Sequence, residues 1–562
     1  MAGHPFTIRA NRTSGRREFP IGADLQCGER GAVLSRKIDR RAFLGGLAGV
    51  GIAIGTGGRF LGAGGRRMGG TPALPADPFQ LGVASGDPLP DSVVLWTRLA
   101  VDPMSPEPMP PVQVPVRWQI AVDERFRKVV HSGRRATGPD LGHSVHVDVS
   151  GLDPGHDYFY RFRVGDYVSP TGRTRTAPDS GRRLNRLRFA VTSCQSYQAG
   201  YYTAYDQMSR DDLAFVLFLG DYIYELSDGS VRSHGIPASE TLDDFRRHYA
   251  AHHADPQLQA AHAAAPWILT WDDHEVEDNY AGLHRGELGK ARDPEGASNF
   301  PAKRASAYRA WWENVPVRAK PPGVDGSMRI YRSFRFGDLI TMPVVDDRQY
   351  RTPLATEGQG PVSPPGGVPL LPAALDPNAT ILGKEQERWL QRILDRSDAS
   401  WNLLAQQTQM AAVDWTPEDE SSGYSTDTWD GYVAARNRLL GHVEKARVKN
   451  FVTFGGDTHT SSVDDLRPDY QREGSPVVGS EFVAPPSTSL ESLAPQYVEG
   501  ALRNPHIHLY DTTNKGYLRV DATRAELRAD FRYVTTTQQP QAEPVAGTSW
   551  VVESGNPGAQ QA

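Results

Sequence analysis

The chain has 562 residues, of which 39% are hydrophobic and 23% charged, with 55 glycines, 43 prolines and a formal net charge of −6. That is the composition of a globular chain with ample core material, and it excludes disorder, collagen-like repeats and a multi-span membrane fold. Two cysteines, Cys27 and Cys194, exclude a disulfide scaffold.

Residues 1–76 do not read as fold. An arginine pair, Arg40-Arg41, precedes an uncharged stretch, Phe43–Gly58, in which 7 of 16 residues are glycine. A membrane span needs roughly 20 strongly apolar residues, so this stretch is too short and too weak to be one. It resembles a twin-arginine export signal with a small-residue cleavage site near Ala76. The implied partner is the twin-arginine export machinery, and the implied location is periplasmic or extracellular. Residues 1–76 carry a net charge of +8, which leaves −14 on the remainder. An acidic body has no nucleic-acid footprint, and a polyanionic substrate would need cations supplied at the site. Loss of Cys27 with the leader leaves Cys194 as a lone thiol in an exported protein, which asks for a chemical reason.

Residues 77–178 show period-two alternation, as in Val116–Ile120, Ser144–Val149 and Tyr158–Val164, and read as a small immunoglobulin- or fibronectin-like β-sandwich. Leu152-Asp153-Pro154-Gly155 before Tyr158 has the form of a corner in which a tyrosine hydroxyl ties back to backbone. A polar linker spans 179–185. From 186 to 533 the texture changes to short continuous apolar runs: Leu187–Val191, Leu213–Leu219, Trp267–Trp271, Leu339–Val345, Trp401–Ala405 and Phe451–Phe454. Helical segments such as Lys303–Asn314 lie between them. Buried strands alternating with helices predict a layered α/β body. His252, His253 and His262 read as surface residues of an Ala-rich helical stretch, and 534–562 as a flexible tail.

Four apolar runs end in metal-ligand residue types. Leu187–Val191 leads to Cys194, Phe215–Gly220 to Asp221 and Tyr224, Trp267–Trp271 to Asp272, Asp273 and His274 with Asn279 behind, and Phe451–Gly456 to Asp457 and His459. A single Asp after a strand is ordinarily a cap or turn residue. Four such ends at the carboxyl edge of a sheet predict one pocket, and carboxylates gathered there repel unless cations neutralise them.

Those residues also carry a family resemblance. Cys194, Gly-Asp-Tyr-Ile-Tyr-Glu (220–225), Trp-Asp-Asp-His-Glu-Val (271–276), Asp-Asp-Arg-Gln-Tyr-Arg (346–351), Gly-Gly-Asp-Thr-His (455–459), Glu-Phe-Val (481–483) and Asn-Lys-Gly-Tyr (514–517) resemble the PhoD-type alkaline phosphatase/phosphodiesterase family of calcineurin-like metallophosphatases. The resemblance implies two β-sheets flanked by helices behind the N-terminal β domain. It implies hydrolysis of phosphate esters by metal-activated water at an Fe(III)/Ca²⁺ centre. Cys194, Tyr224 and His459 would bind iron, with Asp221 bridging; Asp273, Asn279 and Asp457 would hold calcium. Arg348 would grip the substrate phosphate, with Arg351 the weaker candidate, and His274 would sit near the leaving group. Asp272 stands open between ligand and supporting roles, and His506 reads as structural. Phospholipid head groups are the alternative substrate on the same fold, and a non-catalytic exported binding protein the remote one. The loops 283–300 and 352–377, which would discriminate substrates, are Gly/Pro-rich and carry no readable signal.

Overall fold

A computed structural model describes residues 73–562 apart from 106, 227–228, 287–298, 324, 354–368, 417–422 and 491–492. The leader expected over 1–76 therefore lies almost wholly outside the described residues. Met68–Ala562 form one compact unit.

All six apolar runs contain strands, and the strands assemble into two large sheets. The ten-stranded sheet runs in the order Asn556–Gln561, Pro544–Glu553, Glu526–Val534, Gly516–Thr523, Arg186–Thr192, Val216–Phe218, Trp267–Leu269, Val83–Leu89, Ser92–Arg98, Ser144–Ser150. The seven-stranded sheet runs Arg332–Phe336, Ile340–Val344, Trp401–Ala405, Phe451–Gly455, Gly479–Val483, Ser461–Leu466, Ile507–Asp511. Leu187, Phe189, Val191 and Leu217 of the first sheet share one core with Met342, Leu403, Val452, Phe454 and Phe482 of the second. The opposite faces are buried too. Ala190, Val216 and Phe218 lie under the helices Leu242–His253, Pro256–Ala264 and Phe300–Asn314. Leu404 and Phe451 lie under Gly383–Arg396 and Val433–Ala446. Burial on both faces is why these strands read as continuous apolar runs without alternation.

The N-terminal β-sandwich is present, but one of its layers is the end of the body's own sheet. Val93, Leu95 and Val147 of the ten-stranded sheet pack on Val116, Ile120, Tyr160 and Phe162 of a five-stranded sheet. The join is the parallel pairing of Gly86 with Trp267. A side chain at Gly86 would lie 2.2 Å from the Pro316 carbonyl and 2.6 Å from that of Trp267, so the close approach needs glycine. The predicted corner is formed: the Asp153 N–H donates to the Tyr158 hydroxyl at 2.9 Å.

The end of the helix Phe300–Asn314 locks the N-terminal strands to the body. Trp96 Nε1 donates to the Glu313 carbonyl at 2.9 Å, His253 Nε2 to Asn314 at 2.8 Å and His146 Nε2 to Val315 at 2.9 Å. These are carbonyls that a helix end leaves without intrahelical partners.

Two expectations are corrected. His252, His253 and His262 are buried, and His253 stacks on Trp96 while His262 stacks on Trp267. The buried face of Leu242–His253 includes Phe245, His248, Tyr249, His252 and His253, so neutral imidazoles fill part of the core. Residues 534–562 are no free tail. Their polar Thr/Gln-rich opening is a hairpin loop, after which Pro544–Glu553 and Asn556–Gln561 extend the ten-stranded sheet and bring Trp550, Val552 and Ala559 into the core. These two strands, the last of them the sheet's edge, are largely exposed and polar, which hid them.

Trp550→Ala should lower stability by about 3 kcal/mol in urea unfolding, and ending the chain after Glu543 should cost more; a free tail would leave the midpoint unmoved in both. Burial pushes His146 down to about 4 and His253 to about 3, against the hydrogen bonds to Val315 and Asn314. The unfolded chain protonates these groups near 6.5 and the folded one does not. Their stabilisation is therefore complete above pH 6.5 and falls by about 1.4 kcal/mol per pH unit for each as pH drops toward 4. His253→Asn should flatten that slope in unfolding measured across the window.

Candidate metal centre

The strands Arg186–Thr192, Val216–Phe218 and Trp267–Leu269 run parallel in one sheet, and Ile340–Val344, Trp401–Ala405 and Phe451–Gly455 run parallel in the other. Their carboxyl ends carry Cys194, Asp221, the pair Asp272-Asp273, Arg348, and Asp457 with His459. Backbone strain concentrates here. Cys194, Asp221, Asn279, Asp457 and His459 have φ between 54° and 65°, half of the ten left-handed non-glycine residues described. Each such conformation costs on the order of 1 kcal/mol or more, and it persists only where surroundings enforce it. Gly220, at φ +103°, lets the Asp221 turn pass Asp272, whose Cβ would sit 2.4 Å from an added side chain.

Two clusters of donor atoms lie side by side, linked where Asp221 and Asp273 come within 4.8 Å of each other. In the first, donor atoms of Cys194, Asp221 and His459 lie within 4.8 Å of one another. The Tyr224 hydroxyl joins them, donating to Asp221 Oδ2 at 2.9 Å and lying 2.9 Å from His459 Nε2. His459 Nδ1 donates to the Leu490 carbonyl at 3.1 Å, which fixes the tautomer and leaves the Nε2 lone pair facing the pocket. Ser489 Oγ, 2.8 Å from the Cys194 carbonyl and 2.7 Å from the Tyr224 hydroxyl, braces both donors.

The second subsite gathers Asp272, Asp273 and Asp457 within the same 4.8 Å limit. Asn279 closes it: its N–H donates to Asp273 Oδ2 at 2.6 Å, and its side-chain amide rests on Asp273 and Asp427. In the orientation that satisfies hydrogen bonding, that amide nitrogen lies 2.9 Å from Asp427 Oδ2 and 3.1 Å from Asp273 Oδ2. Rotation by half a turn presents its oxygen instead, the donor a hard cation takes. Asp272 Oδ2 and Asp273 Oδ1 are buried with no hydrogen-bond partner. Orphaned carboxylate oxygens are costly unless a cation meets them.

Arg348 is the fully buried counter-charge. Nη1 holds both Asp427 oxygens at 2.9 Å, Nη2 holds Asp457 Oδ1 at 2.7 Å, and Nε pairs with Asp272. Asp273 Oδ1 lies 3.6 Å from Nη2. All three nitrogens are engaged by carboxylates, so Arg348 orders this floor and is not an unengaged phosphate donor. Arg351 likewise binds Asp427, at 2.8 Å, and the Tyr280 carbonyl.

Electrostatics show how unfavourable the uncompensated cluster is. Burial pushes Asp221 well above the carboxylate range; Asp273, Glu275 and Asp457 push the same way, against His274. Burial likewise raises Asp457 to about 8 despite Arg348. It lifts the Cys194 thiol and the Tyr224 phenol as well, each reinforced by the Asp221 charge. Asp273 runs the other way: against burial, Arg348 and His274 hold it ionised. Burial keeps His459 neutral, at about 4, as a ligand must be. His274 resists burial because Glu225, Asp273 and Asp221 surround it, and they raise its pKa well above the ordinary value. Its Nδ1–H donates to Glu225 Oε2 at 2.8 Å and its ring lies 4.2 Å from that of Tyr224.

The pocket thus brings together every residue expected there: Cys194, Asp221, Tyr224, Asp273, His274, Asn279, Arg348, Asp457 and His459. His506 stands apart, donating to the Ala412 carbonyl at 2.6 Å, as a structural histidine does. The sequence reading missed several supports. Glu275 accepts the backbone N–H groups of Asp221, Tyr222 and Asp272 at 3.0, 2.7 and 2.8 Å, and so ties two ligand loops together. Glu225 orients His274. Both lie inside quoted motifs and were legible in principle. Asp427 and Ser489 sit in loops with no signal of their own.

Comparison with known proteins shows the family. A family model described as PhoD-like phosphatase matches residues 189–531, and one described as PhoD-like phosphatase, N-terminal domain, matches 66–178. The chain belongs to the PhoD-like phosphatase family. It is 40% identical over 538 residues to alkaline phosphatase D of Bacillus subtilis (strain 168), covering 92% of this chain and 88% of that one. A solved structure of PhoD superposes with a TM-score of 0.81 at 40% identity, over 87% of this chain and 93% of that one. The two matched regions of the chain meet at the Gly86–Trp267 seam, so the family's N-terminal part here supplies strands to the sheet that carries Cys194, Asp221 and Asp273 at its strand ends.

Glu275→Gln keeps the size but weakens three N–H bonds. The purified variant should fold, hold at least about tenfold less tightly bound metal by elemental analysis, and lose activity in proportion. Unchanged metal content would show that Glu275 does not position the loops.

Proposed function

We propose that this chain is an exported, metal-dependent phosphoric ester hydrolase, an alkaline phosphatase/phosphodiesterase working at an Fe(III)/Ca²⁺ centre. The observation that carries the reading is the junction of two chemically different donor sets at Asp221, in a chain 40% identical to alkaline phosphatase D. Cys194, Tyr224 and His459 offer thiolate, phenolate and imidazole, donors suited to Fe(III). Asp273, Asn279 and Asp457 offer carboxylate and amide oxygens, suited to a hard ion such as Ca²⁺. Asp221 is positioned to serve both. Asp272, engaged by Arg348, supports the second set.

Bound there, these cations would supply Lewis-acid polarisation of a phosphate ester and lower the pKa of water. The side chains do the rest. Arg348 holds Asp272 through Nε and Asp427 through Nη1; were Asp457 drawn onto a cation, Nη2 would be the nitrogen left for a phosphoryl oxygen. His274, whose Nδ1–H donates to Glu225, would give its Nε2 proton to the departing oxygen. Ser489 and Glu275 keep the donors from relaxing.

The lone thiol fits export after folding. A protein that loads iron in a reducing cytosol and crosses the membrane folded keeps Cys194 as a ligand, and Ser35–Leu44 carry the signal for that route. Among the described residues no helix is long and apolar enough to cross a membrane.

The test is elemental analysis with a visible spectrum of the purified protein, followed by assays on a nitrophenyl monoester, a bis-nitrophenyl diester and phosphatidylcholine. A tyrosinate–iron band should be present and should vanish in Tyr224→Phe. Asp273→Asn should lower kcat/KM by on the order of a hundredfold or more. Preference among the three esters ranks the substrate classes. Protein without bound metal, or without hydrolysis of any ester, would leave a binding protein as the better reading.

A further inference from the structure

The five-stranded sheet packs one face on the N-terminal core and turns the other outward, and that outer face carries an unusual charge pattern. Arg117 of Val114–Ala121 is directly paired with Arg134 of Val129–Thr137 on one side and with Arg163 of Asp157–Val164 on the other. Register partners share a face, so the three guanidiniums form one cross-strand row. Like charges directly opposite are destabilising in a sheet. All three residues are exposed, and none forms an ion pair among the described residues. The contrast on the next strand is informative: Arg173 and Arg175 are both paired, with Asp157 and Asp212.

The row continues into Val168, the register partner of Arg163, which is 40% exposed. Val122 and Val129, at the hairpin joining Val114–Ala121 to Val129–Thr137, are also exposed, at 41% and 37%. The same hairpin presents Arg125, Arg127 and Lys128 to solvent. Residues 114–137 hold six Lys+Arg and two Asp+Glu, in a chain whose residues 77–562 carry −14. The acids lie in turns. Asp123 is occupied by the backbone N–H groups of Arg127 and Lys128, and Glu124 and Asp166 sit in hairpin turns off the strand row.

We propose that this outer face is a docking surface for an anionic lipid bilayer. A flat array of unpaired cations bordered by exposed aliphatic side chains complements a plane of lipid phosphates with apolar material just beneath. A soluble polyanion would be served by the arginines alone and gives the valines no role. The docking is peripheral and does not depend on which ester the metal centre cleaves.

The test is co-sedimentation of the purified full chain with vesicles of phosphatidylglycerol and phosphatidylcholine, against vesicles of phosphatidylcholine alone. The chain should partition onto the anionic vesicles and be released by high salt. R117E/R134E/R163E should weaken partitioning on the order of a hundredfold. R388E/R392E/R396E makes the same change in net charge on the exposed side of the helix Gly383–Arg396 and should weaken it far less. Retained hydrolysis of a soluble nitrophenyl ester by both variants certifies their folding. No partitioning onto anionic vesicles, equal loss in the two variants, or binding of soluble polyphosphate without binding of vesicles would each overturn the proposal.

Discussion

Everything in the pocket answers to one electrostatic constraint: carboxylates from distant parts of the chain are buried within a few ångströms of one another. In a low-dielectric interior such a group is unfavourable until positive charge is placed inside it. Arg348 is the fixed part of that charge. A guanidinium is planar, permanently ionised and able to hold several oxygens in set directions. Here it pins Asp272 after one strand of the ten-stranded sheet, Asp457 after one strand of the seven-stranded sheet, and Asp427 in a loop. Even with Arg351 on Asp427 and His274 beside Asp221, the cations of the chain do not balance Asp221, Asp272, Asp273, Asp427 and Asp457 together. The remaining charge deficit, with the orphaned oxygens of Asp272 and Asp273, favours a cation in the pocket.

The fold earns this arrangement by rigidity around the pocket. Parallel strands in both sheets end at the same edge, and the loops that follow are sharply turned, with five left-handed non-glycine residues lining the pocket. Two buried carboxylates act as stitches. Glu275 gathers three N–H groups from the loops bearing Asp221 and Asp272. Glu481 accepts Met410 and Ala411 N–H groups at 2.9 and 2.7 Å and the Gln406 side chain at 2.9 Å, fixing the loop after Trp401–Ala405 against Gly479–Val483. Burial lifts both glutamates to about 7, while the backbone N–H bonds favour their ionised forms. The N-terminal strands, anchored through Trp96 and His146 on one helix end, extend the sheet on the far side of Trp267–Leu269.

Much of this was legible. The apolar runs announced the strands, and the residues that follow them announced the pocket, because a strand buried on both faces leaves an unbroken hydrophobic signature that Asp, His or Cys interrupts at its end. The histidines of Leu242–His253 and Pro256–Ala264 misled for the opposite reason. Imidazole counts as polar in a sequence, yet in its neutral form it fills a core beside Trp96, Tyr222 and Trp267. The C-terminal strands misled because the outer face of an edge strand looks like loop.

From the order of its residues alone, this protein determined which side chains could be ligands and at which strand ends they stand, since those are properties of local pattern and residue chemistry. Tertiary structure decided the rest: that Arg348 is consumed by Asp272, Asp427 and Asp457, that Asp427 belongs to the site at all, and that the N-terminal and C-terminal strands join one sheet. Each of these depends on distances between segments far apart in the chain, and Coulomb energy and hydrogen bonding follow distance in space, which no local pattern encodes.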